Sequence, residues 1–295
     1  MNTNTLWKPD LVTLALAQFG MSAEPSENLQ KALSYIAKAG QQGADIVCLP
    51  ELFRSPYFCL SERSERDYTE ATLDEVTAAL TEAARAHHVA IIGGSVYEQT
   101  PEGQRFNTAL VVNKQGELLG SYRKTHIPHD PGFYECNYFE PGDTGFKVFD
   151  LGFAKASVLI CYDQWFPEAA RACALQGAEI LFYPTAIGTT TVSPEAEGSW
   201  QDAWETVQRG HAIANSVVVA TVNRVGHESL GAQGSSDFWG GSFVSDAFGT
   251  LLVKGDDQER LLLATVDLEH SRFTRESWRF MHSRRPEAYG RVIQK

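Results

Sequence analysis

A chain of 295 residues, 43% hydrophobic and 21% charged, is long enough to bury one large core or two small ones and has the make-up of an ordinary globular protein. Its formal net charge of −12 argues against a nucleic-acid partner, which would want a basic face, and weakly favours cationic over anionic small ligands. No apolar run approaches membrane length, the N-terminus lacks the charged-then-apolar pattern of a secretion signal, and Cys48, Cys59, Cys136, Cys161 and Cys173 form neither a CxxC pair nor a disulfide-like spacing; a cytoplasmic protein with free thiols and no membrane partner is expected.

Residues 1–10 are polar and read as a frayed or draped end. Residues 11–18 alternate as a strand, and a helix is expected from Pro25, with Leu29, Ala32, Leu33, Ile36 and Ala37 on one face and Gly40 closing it. Residues 45–51 read as a buried strand ended by Pro50, and 61–68 as a loop or lid. Thr72 and Glu75 have capping-box spacing before a helix with Leu73, Val76, Leu80 and Ala83 inward. Then come a strand over 89–98 broken at Gly93 and Gly94, and a hairpin of 108–112 and 117–123 turning at Gln115 and Gly116. The apolar run 157–160 predicts a buried strand, Pro167 the start of a helix and Gly177 its stop. Strands at 179–183 and 216–222 flank a helix over 200–214, a second hairpin turns at Phe248 and Gly249, and a last strand covers 261–268. With no linker, composition break or strict repeat, residues 1–295 read as a single α/β domain with a mixed sheet arrangement.

Glu51, Lys124 and Cys161 each follow the end of a strand, and each has a different chemical use. A carboxylate beside a thiol is a general base, and an ammonium beside it stabilises both thiolate and oxyanion. Cys161 stands at a turn from strand to helix, where α/β sheets place reactive groups and where the N–H groups of a helix start lower a thiol pKa. Taken singly, Cys161 reads equally as a buried core cysteine, Glu51 as a strand-end solvent contact and Lys124 as a surface charge. A papain-like Cys–His pair lacks its local signature. His126 and His129 form an HxxH without a third ligand nearby, which favours a structural or pocket-lining role over a metal site. His87 and His88 read as helix-terminus residues. Phe133, Tyr134, Tyr138 and Phe139, in company with Pro131 and Gly132, read as a pocket wall. Glu195, Glu197, Asp202 and Asp237 are candidates to receive a cationic group, against the default of a solvated loop.

Leu49-Pro50-Glu51-Leu52-Phe53, the stretch from Tyr122 through Lys124 to Pro128, and Leu159-Ile160-Cys161-Tyr162-Asp163 resemble, in order and spacing, the three signature segments of the nitrilase superfamily, the carbon–nitrogen hydrolases. The resemblance covers essentially the whole chain. It implies a four-layer αββα sandwich, a catalytic set of Glu51, Lys124 and Cys161, and a second active-site carboxylate at Glu135. It also implies no metal and no organic cofactor. In the reaction it implies, Glu51 takes the thiol proton while Lys124 and the backbone N–H of Tyr162 hold the oxyanion. Family members assemble as homodimers or larger homo-oligomers, and residues 270–295, with Phe273, Trp278, Phe280 and Met281, carry more apolar surface than a free tail exposes.

Residues 55–59, 141–146, 161–168, 175–188, 239–243 and 284–289 are similar to the branch of the superfamily that hydrolyses N-carbamoylputrescine; Leu60, Thr125 and residues 129–137 depart from its usual wording. Relatives acting on N-carbamoyl-D-amino acids resemble Cys-x-Asp-Arg-Arg after the nucleophile, where this chain has Gln164 and Trp165. An arginine fork suits a carboxylate, whereas an amine-ended substrate needs carboxylates and aromatic faces. Glu135, Glu195, Glu197 and Asp237 supply the first, and Tyr57, Phe58, Phe133, Trp165 and Trp239 the second. The expected ligand is therefore a small ureido-amine, with Tyr57, Phe133, Tyr162 and Trp165 as substrate-binding residues. A β-ureidopropionase or ω-amide hydrolase is the neighbouring alternative, and a catalytically idle binding subunit the alternative of another class.

Overall fold

Strands whose residues alternate between two apolar faces must be covered on both sides, and this constraint organises residues 10–68, 73–191 and 197–294, which the computed structural model describes. The first half runs β1 (Leu11–Gln18), α1 (Pro25–Gln41), β2 (Ile46–Cys48), α2 (Asp74–His87), β3 (Ala90–Ile92), β4 (Val96–Gln99), β5 (Arg105–Val112) and β6 (Leu118–Arg123). The second half begins β7 (Phe149–Asp150), β8 (Lys155–Val158), α3 (Pro167–Leu175), β9 (Ile180–Thr185), β10 (Gly188–Thr190) and α4 (Trp200–Asn215). It continues β11 (Val218–Asn223), β12 (Val225–Ser229), β13 (Ser235–Trp239), β14 (Phe243–Ser245), β15 (Leu251–Lys254), β16 (Arg260–Asp267) and α5 (Leu268–Trp278).

A seven-stranded sheet has the order β16-β1-β2-β3-β5-β4 with β6 paired to β5, and a six-stranded sheet the order β15-β14-β11-β9-β8-β7. Both follow one plan. Parallel strands joined through helices (β1-α1-β2-α2-β3 and β8-α3-β9-α4-β11) are flanked by antiparallel strands. Val12, Leu14, Leu16, Ile46, Cys48 and Ile92 share a core with Ala156, Val158, Ile180 and Phe182 of the second sheet. Their strand neighbours Ala15, Ala17, Val47, Leu49 and Ile91 pack instead with Leu29, Ala32 and Ile36 of α1 and Val76 and Leu80 of α2. Ala169, Ala170 and Cys173 of α3 and Trp204 and Ala212 of α4 close the far side. The order is the expected αββα sandwich, and each fully buried Leu or Ile contributes about 1.5–3 kcal/mol.

Differences from expectation have local causes. The strand expected over 45–51 shortens to Ile46–Cys48, because Pro50 has no N–H for a ladder and the chain turns away through Leu52 at φ +47°. The inward face of α1 carries Asn28, Tyr35 and Ala39 in place of Leu33 and Ala37, which stay partly exposed. Helix α2 begins at Asp74 with Leu73 as an N-cap that makes no side-chain bond; Thr72 lies outside the described residues, as do residues 1–9. Three features went unanticipated: the short edge strand β7, a three-stranded sheet in the order β10-β13-β12, and α5, whose N-terminal N–H groups at Glu269 and His270 are capped by Asp267. No described helix is long and apolar enough to cross a membrane.

The reversal at Gly93 and Gly94 is tight against the segment that carries Glu51. A Cβ on Gly94, at φ +53°, would lie 2.0 Å from the Pro50 carbonyl oxygen, whereas one on Gly103, at φ +88°, would meet nothing within 4 Å. Gly103→Ala should cost about 1 kcal/mol for backbone strain alone. Gly94→Ala should cost about 3 kcal/mol or more, since backbone must move. Urea unfolding midpoints of the two variants, read at equal m-value, check the difference.

Candidate active site

Three strand ends and one short turn converge between the sheets. Glu51 lies three residues beyond β2, Lys124 directly follows β6, and Glu135 opens a 3₁₀ turn at Glu135–Asn137. Cys161 opens a second 3₁₀ turn, Cys161–Trp165, between β8 and α3, with its backbone in the left-handed region at φ +43°. A non-glycine residue held there is strained, and the surroundings must enforce it. All four side chains are buried, Glu51 and Glu135 fully, Lys124 at 1% exposure and Cys161 at 6%.

The Lys124 Nζ bridges both carboxylates, 2.8 Å from Glu51 Oε1 and 2.6 Å from Glu135 Oε2. Asn107 Nδ2 donates to the same Glu51 Oε1 at 2.8 Å, and the Tyr57 hydroxyl donates to Glu135 Oε1 at 2.7 Å. Glu51 Oε2 is buried and has no hydrogen-bond partner. One oxygen of Glu51 is thus fixed by two donors while the other is left open, the arrangement of a positioned proton acceptor.

Burial is the largest single influence on the titration of Glu135, Lys124 and Cys161. It raises Glu135 to about 6 against the pull of Lys124 and the Tyr57 hydroxyl, with the Glu51 charge adding to the rise. Burial alone would lower the Lys124 pKa, but Glu135 and Glu51 outweigh it and hold the ammonium well above its ordinary value. Burial, and then the Glu51 charge, push the Cys161 thiol well above its ordinary value against the opposing effect of Lys124. The expectation that a helix start would favour the thiolate is corrected here. Helix α3 begins only at Pro167, beyond an intervening turn, and Cys161 is too dry and too close to a carboxylate.

Side chains outside the four fix their positions. Asp163, fully buried, accepts from the Ile160 N–H at 2.9 Å, the His126 N–H at 3.0 Å and the Tyr122 hydroxyl at 2.7 Å, and its Oδ1 lies 2.7 Å from His126 Nδ1. One carboxylate therefore registers the Cys161 turn of the second sheet against the β6 end that carries Lys124. Arg224, also fully buried, donates to the carbonyls of Glu51 at 2.7 Å, Leu52 at 3.0 Å and Ser55 at 3.3 Å, and to Glu228 at 2.7 Å. Glu228 in turn receives the Tyr57 N–H. Sequence reasoning named neither Asn107 nor Arg224; the signal for Asn107 was an amide within the largely apolar β5, and Arg224, between β11 and β12 and next to Asn223, offered none. His126 stacks on Phe166 at 3.7 Å and His129 is exposed, so the HxxH divides between two environments. No group of His, Cys, Asp and Glu that could hold a metal occurs among the described residues.

A cavity of about 410 Å³ opens onto Cys161 and Glu135. Phe133, Tyr162 and Trp165 line it, joined by Trp200 and Ile187, and Asp130 and Glu197 add carboxylates. Among the described lining residues there is no Lys, Arg or His. Tyr57 is not among them: it packs edge-on to Phe238 with its hydroxyl committed to Glu135, behind the carboxylate rather than facing the cavity. Tyr138 and Phe139 join Phe58 in an aromatic core, and Trp239 packs on Trp204. Neither Asp202 nor Asp237 lines the cavity, Asp237 pairing with His227 instead; Glu195 lies outside the described residues.

The carbon–nitrogen hydrolase family model matches residues 13–276. The chain belongs to that family. It is an enzyme of the nitrilase superfamily that hydrolyses carbon–nitrogen bonds. Among relatives of this hydrolase, an N-carbamoylputrescine amidase of Solanum tuberosum is 40% identical over 96% of this chain and 95% of its own. A citrullinase of Francisella tularensis is 36% identical over 96% of this chain and 99% of its own. The crystal structure of a carbon–nitrogen hydrolase from Helicobacter pylori superposes with a TM-score of 0.89 at 37% identity, covering 97% of this chain and 99% of that one.

Because the Glu135 pKa is raised, its carboxyl favours the folded state at low pH, fully below about pH 4.5, and that contribution is lost as pH rises through about 6. The ionised form is the one that bridges to Lys124, so the acid limb of kcat/KM is expected near pH 6. Tyr57→Phe removes a bond that stabilises the charge and should move this limb to higher pH. A pH–rate profile of the two proteins checks it; coincident acid limbs would separate Glu135 from turnover.

Proposed function

We propose that this hydrolase cleaves N-carbamoylputrescine to putrescine, carbon dioxide and ammonia. The observation that carries the reading is the lining of the cavity: a thiol and a carboxylate at one end, aromatic walls, further carboxylates at Asp130 and Glu197, and no cationic side chain among the described residues. Such a lining suits a neutral ureido group joined to an ammonium. Similarity to N-carbamoylputrescine amidases supports it. In the proposed reaction the open Glu51 Oε2 takes the Cys161 proton as the sulfur attacks the ureido carbon. The Lys124 ammonium and the Tyr162 N–H hold the developing oxyanion. Protonated Glu51 passes its proton to the leaving nitrogen, then draws one from the water that attacks the thioester carbon and frees the sulfur. Glu135 keeps Lys124 charged and in place.

Citrullinase and β-ureidopropionase activities would each bring a carboxylate on the substrate, and the described lining residues include no arginine or lysine to pair it. Turnover of N-carbamoylputrescine should exceed that of N-carbamoyl-β-alanine by roughly thirtyfold in kcat/KM, the equivalent of about 2 kcal/mol for one unpaired charge. Ammonia release from both compounds at equal ionic strength is the measurement. Equal rates, or preference for the carboxylate, would promote the ureidopropionase reading, and release from no ureido compound would promote the idle binding subunit.

The same proposal extends to organisation: residues 1–295 act as one hydrolase domain, in the cytoplasm, with 270–295 used in homodimer or higher assembly. Its supports are five unpaired cysteines and the exposed Phe273, Trp278 and Phe280, of which Trp278 stacks edge-on with Phe248 at 5.6 Å and Phe280 at 5.3 Å. Light scattering at micromolar concentration should give at least twice the 32.6 kDa chain mass. A monomer would refute the assembly.

A further inference from the structure

Gln164 carries a feature that the reaction above does not use. Its side chain is fully buried and lines the cavity, and its Nε2 has no hydrogen-bond partner. Among the described lining residues it is the one with a buried polar atom left open in this way. The orientation of the amide follows from chemistry. Trp204 Nε1–H lies 2.8 Å from the other end, and an indole nitrogen only donates, so the atom facing it is the Gln164 oxygen. The NH₂ end is therefore the free one. The backbone at this residue is held as well, its carbonyl 2.8 Å from His211 Nε2. A buried donor without a partner is costly, and where one persists in a cavity wall a ligand is the natural acceptor.

Gln164 stands three residues after Cys161 in the turn Cys161–Trp165, and both line the cavity. The acceptor it meets is also constrained in charge. A single neutral donor, with Glu135, Asp130 and Glu197 on the same cavity, suits an uncharged oxygen and not a carboxylate.

We infer that Gln164 donates its amide N–H to the carbonyl oxygen of the ureido or amide group under attack, adding a side-chain donor to those that hold the developing oxyanion. This rests on the reading of Cys161 as the nucleophile. A donor placed on the reacting oxygen binds more strongly as charge builds there, so it acts on kcat.

The test compares Gln164→Glu, which keeps an acceptor for Trp204 and removes the donor, with Gln164→Met, which removes both polar ends without adding charge. On the ureido compound that the wild-type protein turns over best, kcat should fall roughly ten- to a hundredfold in both. In Gln164→Met, the rate at which methyl methanethiolsulfonate blocks Cys161 should stay within about twofold of wild type, since that reaction presents no carbonyl to the donor. The inference is overturned by a kcat within about threefold of wild type in either variant, or by a loss confined to KM, which would put the donor on a non-reacting part of the substrate. Thiol blocking that slows in step with kcat overturns it as well, because the residue would then act on the turn itself. If Gln164→Met does not fold, kcat in Gln164→Glu decides alone. Cys161→Ala run beside them separates the two levels: retained turnover there removes the nucleophile reading, whatever Gln164 does.

Discussion

One ammonium held between two fully buried carboxylates sets the terms for the rest of the structure. Lys124, Glu51 and Glu135 together carry a net negative charge in a site almost without solvent, and desolvating such groups costs several kcal/mol each before any pairing is counted. A cluster of this kind is weak evidence for stability, but removing one member leaves its partners uncompensated. The surrounding polar side chains follow from that. Asn107 and Tyr57 satisfy one carboxylate oxygen each, and Arg224 ties down the backbone of residues 51–55 with its own charge matched by Glu228. Each bond keeps a charged group from relaxing toward a geometry in which it could be solvated.

The position of the site follows from the repeated topology. Glu51 and Lys124 come from the ends of strands in the first sheet and Cys161 from the end of β8 in the second, so the site exists only while the two sheets keep their register. Apolar packing across the middle layer fixes the separation of the sheets but is tolerant of sliding. The Asp163 carboxylate is not tolerant. It joins the Ile160 N–H to the Tyr122 hydroxyl, and so ties the strained turn at Cys161 to the strand that ends at Lys124.

Periodicity in the sequence was enough to recover a single α/β domain with a mixed sheet, because alternation on two-sided strands and long amphipathic helices are local signals; the four-layer sandwich came only with the family resemblance. The bounds of β1, α1 and α4 follow closely from it, as does the β5–β6 hairpin, in which β5 begins three residues before the expected start, at Arg105. The small β10-β13-β12 sheet and α5 escaped for a physical reason: their strands and helix are short or polar, and their stability comes from what they pack on. The site was legible as motifs but not as energetics. That Glu51, Lys124 and Cys161 meet is visible in no spacing, and rested on resemblance. The direction of the thiol shift was misread because a helix start is local and desolvation is not. Arg224, 173 residues from the Glu51 carbonyl it holds, stands between Asn223 and Val225 and leaves no local trace of that contact.

A thiol raised well above its ordinary value rests as neutral sulfur, here beside a carboxylate with one open oxygen. In the proposed reaction the thiolate is then never a standing species. It forms as the substrate displaces water and as its carbonyl carbon accepts the sulfur lone pair, so that negative charge passes from Glu51 to the oxyanion without resting on sulfur. Lys124 serves this transfer because its ammonium is pinned to Glu51, where the charge starts, and lies close enough to oppose the rise in the Cys161 pKa. Two carboxylates on one ammonium keep Lys124 protonated, so in the proposed reaction the proton that moves is the one Cys161 gives to Glu51. The price of that arrangement is a site that must be built dry from the start, which is why its four groups arise from strand ends between two packed sheets rather than from a surface loop.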